Sequence, residues 1–256
     1  MKKLSDANPS DFSMLLDATH KLSGFDAVEK VAQAFIDIVY EHFQKSLLLL
    51  RLFSSLPYSA LPTQDQQLVN KKANDSGTMH LLKDRTPILT LLATRGQKPD
   101  WNERDKSQGF RCIPLVSRKY GASLSMLSMQ FKSMNFDFSQ FDDWNALIVK
   151  RGRADQYSGI LYVREAGTDK DDQNRMVVPR QEFVADYGVK TALGFGGGYT
   201  SHPTIIILFA FTNEILSRPA AEPFTQLLEA YRSVSGKLIE NGRIFAQPVT
   251  AISRHD

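Results

Sequence analysis

Only one cysteine, Cys112, occurs among the 256 residues. That excludes an internal disulfide and a cysteine-based zinc site, and it fits a reducing compartment. Long apolar runs are also missing. The longest, residues 47–50 and 205–211, fall far short of the ~20 residues a membrane-spanning helix needs. The N-terminus turns polar within six residues and carries no apolar signal segment, so the expectation is a soluble cytoplasmic protein with no membrane insertion. The net charge is only +3, and no block of Lys and Arg is interleaved with aromatics, so there is no nucleic-acid footprint. No Ser-His-Asp pattern, metal-ligand cluster or phosphate loop can be placed, so no catalytic residue and no metal site are assigned.

A composition of 42% hydrophobic and 23% charged residues is that of an ordinary globular protein. No internal repeat and no linker divides the chain. One domain over residues 1–256 is expected, with a core of about 10–245 and a tail at 247–256.

The organising stretch is 189–212, VKTALGFGGGYTSHPTIIILFAFT, which reads as a β-hairpin. Side chains in a strand switch faces at every residue. Val189, Thr191, Leu193, Phe195, Gly197 and Tyr199 therefore share one face, and Lys190, Ala192, Gly194, Gly196 and Gly198 share a nearly bare one. Glycines there point to the close approach of a backbone or a ligand. Residues 200–203 supply the turn. The return arm is apolar on both faces, as expected of a covered central strand. GFGGGY does not meet the dinucleotide fingerprint: its sixth position is Tyr199, and a turn and strand follow where a helix is needed.

From the start, Asn8, Pro9 and Asp11 open a helix that ends at Gly24. A second begins at Asp26, with Glu29 completing a capping-box-like pair and an apolar stripe from Val28 to Phe43. Strands follow at 46–56, 87–94, 110–116 and 158–164, with Cys112 a small core residue. Residues 57–85 read as an extended loop or a minor element. Residues 122–134 read as a helix over the sheet, and 135–144 as an aromatic-rich cover. The acidic loop 167–174 lacks the glycine and the glutamate a calcium loop needs at its sixth and twelfth positions. A short helix at 181–187 leads into the hairpin. A long amphipathic helix opens at Arg218-Pro219.

Two helices running straight into an apolar strand at Ser46, together with the closing hairpin and Phe-bearing helix of 219–245, resemble a GAF domain, the small-molecule-sensing module of bacterial signalling proteins. The resemblance implies an α/β (α+β) fold. A central antiparallel sheet would carry the N- and C-terminal helices on one face, with loops and short helices enclosing a pocket on the other. The motifs of the family's known subtypes are not met. Asn174-Arg175 precedes Phe183, but Asp186 comes after two residues instead of three, and Tyr187 follows it; Cys112 is followed by Ile113, not His. The expected role is a non-catalytic sensory domain that binds an unidentified small molecule, forms a homodimer through its terminal helices and signals to an output partner. The alternatives are a ligand-free interaction module and an enzyme on the same scaffold. Arg153, Tyr157, Arg175, Gly196, Gly198 and Tyr199 are the candidate ligand-binding residues, the arginines because a guanidinium fork matches carboxylate and phosphate.

Overall fold

The hairpin lies within a six-stranded antiparallel sheet. The computed structural model describes residues 1–107, 110–136, 157–200 and 202–246. In chain order the strands are β1 (Leu47–Pro57), β2 (Pro87–Gly96), β3 (Cys112–Pro114), β4 (Gly159–Val163), β5 (Thr191–Gly198) and β6 (Ile205–Thr212), arranged β3-β2-β1-β6-β5-β4. β6 is buried at every position because it sits between β1 and β5 and is covered on both faces. The described helices are α1 (Pro9–His20), α2 (Val28–Phe43), α3 (Thr63–Asp75), α4 (Arg118–Ser123), α5 (Ser125–Ser133), α6 (Gln181–Tyr187), α7 (Arg218–Ala221) and α8 (Pro223–Glu240). Among the described residues no helix is long and apolar enough to cross a membrane.

Periodicity decides which face each element buries. Phe12 and Leu15 of α1, Phe35, Val39 and Phe43 of α2, and Phe224, Leu227 and Tyr231 of α8 pack on Leu50 and Leu52 of β1, Phe195 of β5 and Leu208 of β6. Phe195 and Phe224 stack with ring centroids 5.3 Å apart. The opposite face of the sheet, with Leu49, Phe53, Leu161, Ile207 and Phe209, meets Leu127 and Phe131 of α5 and Val184 of α6. The expected placement of the terminal helices on one face and the short helices on the other is the one observed.

The start of α1 is as expected. Asn8 Oδ1 accepts from the amides of Ser10 and Asp11 at 3.0 and 3.2 Å, and Asp11 Oδ2 accepts from the Asn8 amide at 2.8 Å. Lys2 Nζ donates to the same carboxylate at 2.6 Å, and His42 Nε2 lies 3.1 Å from its other oxygen. The Lys2 hydrogen bond, then the Asn8 amide, lower the Asp11 pKa from 3.8 to about 2. A depressed carboxylate pKa contributes stability above its unfolded value and loses it as pH falls through the folded value. The melting-temperature gap between wild type and Asp11→Asn is therefore expected to narrow steadily from about pH 4 to about pH 2. A gap that stays constant across that window would show that the Asp11 charge is not what holds the cap.

Three expectations are corrected. Residues 57–85 are not an extended loop: they contain α3, docked at the β3 edge. α2 begins at Val28 without a capping box, and Asp26 pairs with Lys30 at 2.8 Å instead. The orphan amides of its first turn are met from far along the chain. Val28 N and Glu29 N each donate at 2.9 Å, to the carbonyls of Arg243 and Ile244. The helix expected from Arg218 is two helices, because Pro223 supplies no amide and opens α8 as a new first turn.

Candidate functional site

The site begins with one residue out of pattern. β1 reads LLLLRLFSSLP, and alternation sends Leu50 and Leu52 into the terminal-helix core while Leu49, Arg51 and Phe53 face the other side. A bulge between Leu52 and Phe53 locally breaks the register with β2 next to Arg51.

On that face α5 lies chiefly over the β4–β5 end of the sheet, and glycines let it lie close. A Cβ on Gly194 would collide with Gln130, one on Gly196 with Met134, and one on Gly159 with the Ser133 carbonyl. Over β1, β6 and β3 the layer opens into a cavity of about 630 Å³, within the ~300–1,000 Å³ of small-molecule sites. Phe53, Phe209 and Phe211 of the sheet, Leu124 and Leu127 from the α4–α5 junction, and Phe183 and Tyr187 of α6 form its walls. Trp101 joins them from the loop after β2; its ring centroid lies 4.7 Å from Tyr187 and 5.7 Å from Phe183. Phe183 in turn meets Phe211 edge-on at 5.3 Å.

The polar groups of the lining are unevenly distributed. Arg51 donates to Ser107 Oγ, and burial, with the nearby charge of Arg180, lowers its pKa to about 10. Arg180 also lines the cavity and forms no ion pair among the described residues. Lys106 is held by Glu103 at 2.8 Å. The carboxylates Asp100, Glu182 and Asp186 occupy exposed positions. Asp100 and Asp186 act on Lys98, whose ammonium sits 4.8 Å above the Tyr187 ring.

The residues singled out from sequence lie elsewhere. Arg153 falls outside the described residues. Tyr157 packs its ring 5.4 Å from Phe136. Arg175 is engaged with Asp171, at 2.8 Å through Nε and 2.7 Å through Nη2, and donates to the Ala122 carbonyl at 2.9 Å. Asp171 is itself buried within the acidic loop 167–174. Gly196 is covered by α5, and Gly198 pairs with Ile205. Tyr199 is buried against α8; its hydroxyl lies 2.7 Å from Ser235 Oγ, and burial raises its pKa. None of these five lines the cavity. The sequence signal that was missed is Arg51, a lone charge in an apolar strand.

A second charged cluster lies at the β3 edge. The Asp65 carboxylate of α3 is fully buried between Arg104 and Arg111, with Arg111 Nη2 at 2.8 Å. Arg104 Nε also donates to the Leu91 carbonyl at 2.6 Å, and Lys72 of α3 to the Cys112 carbonyl at 2.8 Å. Burial, followed by the Asp65 charge, pushes the Cys112 thiol up to about 12, which leaves it a poor nucleophile. Among the described residues no group of three or more His, Cys, Asp or Glu side chains is placed to hold a metal ion. No protein-family model matches this sequence, and no curated protein matches it at a significant level, so the chemistry of the cavity itself is what bears on function.

Proposed function

We propose that this chain is a non-catalytic, GAF-like sensory domain that holds a small molecule in the cavity and relays its presence through the terminal helices. One observation carries the reading: β1 separates the two. Arg51 reaches the cavity while its neighbours Leu50 and Leu52 are core contacts of the layer formed by α1, α2 and α8. A shift of that strand on binding is felt on both faces, because a close-packed core transmits displacement. The family resemblance places a pocket and a helical output on these same two faces, and that likeness of fold is an analogy for function.

Native mass spectrometry and hydrogen exchange test the proposal together. Wild type is expected to retain a small molecule that Leu124→Trp, which puts an indole into the cavity lining, does not. Bound protein should exchange more slowly in α1 and α8 as well as in the cavity wall. A bare mass for wild type counts against the sensor. Protection confined to the wall counts against the relay. The homodimer belongs to the same proposal and would use what the helical stripes leave outside, such as Met14, 51% exposed on α1. Sedimentation of the same samples reads it, and a monomer at high concentration in both states removes it.

A further inference from the structure

We propose that the cavity takes a flat, uncharged aromatic molecule, held between the phenylalanine rings of the sheet and the aromatic wall formed by α6 and Trp101. This rests on the cavity being the binding site, and it adds the class of molecule that site selects.

The shape is argued from the rings. Phe209 and Phe211 of β6 stand in register with Arg51 and Leu49 of β1, so these side chains form two adjacent rows on one face of the sheet. Phe53 meets Phe209 at 6.0 Å with the ring planes 72° apart. On the opposing wall Phe183 and Tyr187 sit one helical turn apart, and Trp101 crosses them at 66° and 68°. Phe183 stands at 88° to Phe211, which joins the wall to the sheet. Rings set at steep angles to one another offer both faces and edges, the two surfaces against which a flat ring packs best. A saturated ring of the same size is puckered and has no π-face to match them.

The lack of charge is argued from the balance of the lining. Its three cations, Arg51, Lys106 and Arg180, are matched by three carboxylates, Asp100, Glu182 and Asp186. All of these but Arg51 are exposed, whereas Phe53, Phe209 and Phe211 are buried. Arg51 and Lys106 have partners in Ser107 and Glu103. The Tyr187 ring already holds the chain's own Lys98 ammonium 4.8 Å from its centroid. A charged ligand therefore gains no net attraction from the lining, and it gives up water on entry.

The test is calorimetric titration with four compounds on one carbon skeleton. 1-Naphthol is flat and neutral, decahydro-1-naphthol is puckered and neutral, and 1-naphthoate and 1-naphthylmethylammonium are flat and charged. Wild type is expected to bind 1-naphthol roughly tenfold more tightly than its saturated counterpart, the scale that one or two aromatic contacts support. Neither charged compound should bind more tightly than 1-naphthol. Phe183→Leu should cut the advantage of the flat ring to about threefold or less, and Trp101→Leu should do the same. Binding of decahydro-1-naphthol within about twofold of wild type shows that each variant is folded. Equal affinity for the flat and puckered compounds, an advantage unchanged in both variants, or tenfold tighter binding of either charged compound would overturn this inference and leave the cavity reading standing. Failure of wild type to bind any of the four overturns this inference, and the cavity reading then rests on the molecule retained in native mass spectrometry. Binding of all four undiminished in Leu124→Trp would overturn both.

Discussion

Asp65→Ala is expected to destabilise the protein by about 3–5 kcal/mol, the usual loss when one partner of a buried ion pair is removed. Its side chain has no exposure, and the two arginine side chains it holds are each 10% exposed. Without it two guanidinium groups stay desolvated with one remaining carboxylate, Asp105, which is 71% exposed and reaches Arg111 at 2.6 Å and Arg104 at 3.5 Å. Water screens that pair, so Asp105→Ala should cost no more than about 1 kcal/mol. The contrast between the two aspartates is the informative quantity. Chemical denaturation of both variants reads it, and similar losses would mean that burial does not set the strength of this network. Because α3 docks at β3 through Asp65 and Lys72, amide exchange in α3 should accelerate in Asp65→Ala before the β1–β6 centre is affected.

Gly159→Ala is expected to cost about 1–3 kcal/mol by overpacking, and more than Gly196→Ala. The two glycines face each other across β4 and β5 under the end of α5. A Cβ on Gly159 would fall on the carbonyl of Ser133 and within 2.7 Å of the Met134 amide nitrogen, so the helix backbone would have to lift. A Cβ on Gly196 would meet Met134 Sδ and, at 2.9 Å, Gln130 Nε2, both at the ends of side chains that can turn aside. At about 2–4 °C per kcal/mol for a chain of this size, thermal melts separate the two. Equal melting temperatures would show that α5 rides on the strip loosely enough to absorb either methyl group.

Where burial follows a strict period, the fold was readable in the sequence. The α2 stripe, the two-sided apolar run of β6 and the bare glycine face each imply their neighbours through spacing alone. α3 escaped because its buried positions are Asp65, Val69 and Ala73, a narrow stripe with a charge where the pattern expects an apolar residue. The carboxylate is at home there only because two arginines arrive from a distant loop. The start of α2 was misread for a related reason: its amides bond to carbonyls more than 200 positions away, and no local motif announces that.

The site was less legible still. Its walls come from β1, the loops on either side of β3, the α4–α5 junction, α6 and β6. No single segment holds enough of them to form a pattern. Of the two arginines chosen for anion chemistry, Arg153 lies outside the described residues, and Arg175 is held by Asp171. Arg175 had a carboxylate four residues away, and such a pair is satisfied locally.

The strand order has a consequence for how the chain is made. During synthesis β1 is followed within the next 40 residues by its partner on one side, β2. Its partner on the other side, β6, emerges only after β3, β4 and β5 have been made. The amide of Ile205 bonds to Ser55 Oγ at 2.9 Å across 150 positions of sequence. Until β6 arrives, the backbone N–H and C=O groups that β1 will give to it from Leu47 to Ser54 have no strand to pair with, and an unpaired edge is a template for another chain. Pairing across such a sequence separation is slow to form, because the loop between the strands must close before the seam rewards it.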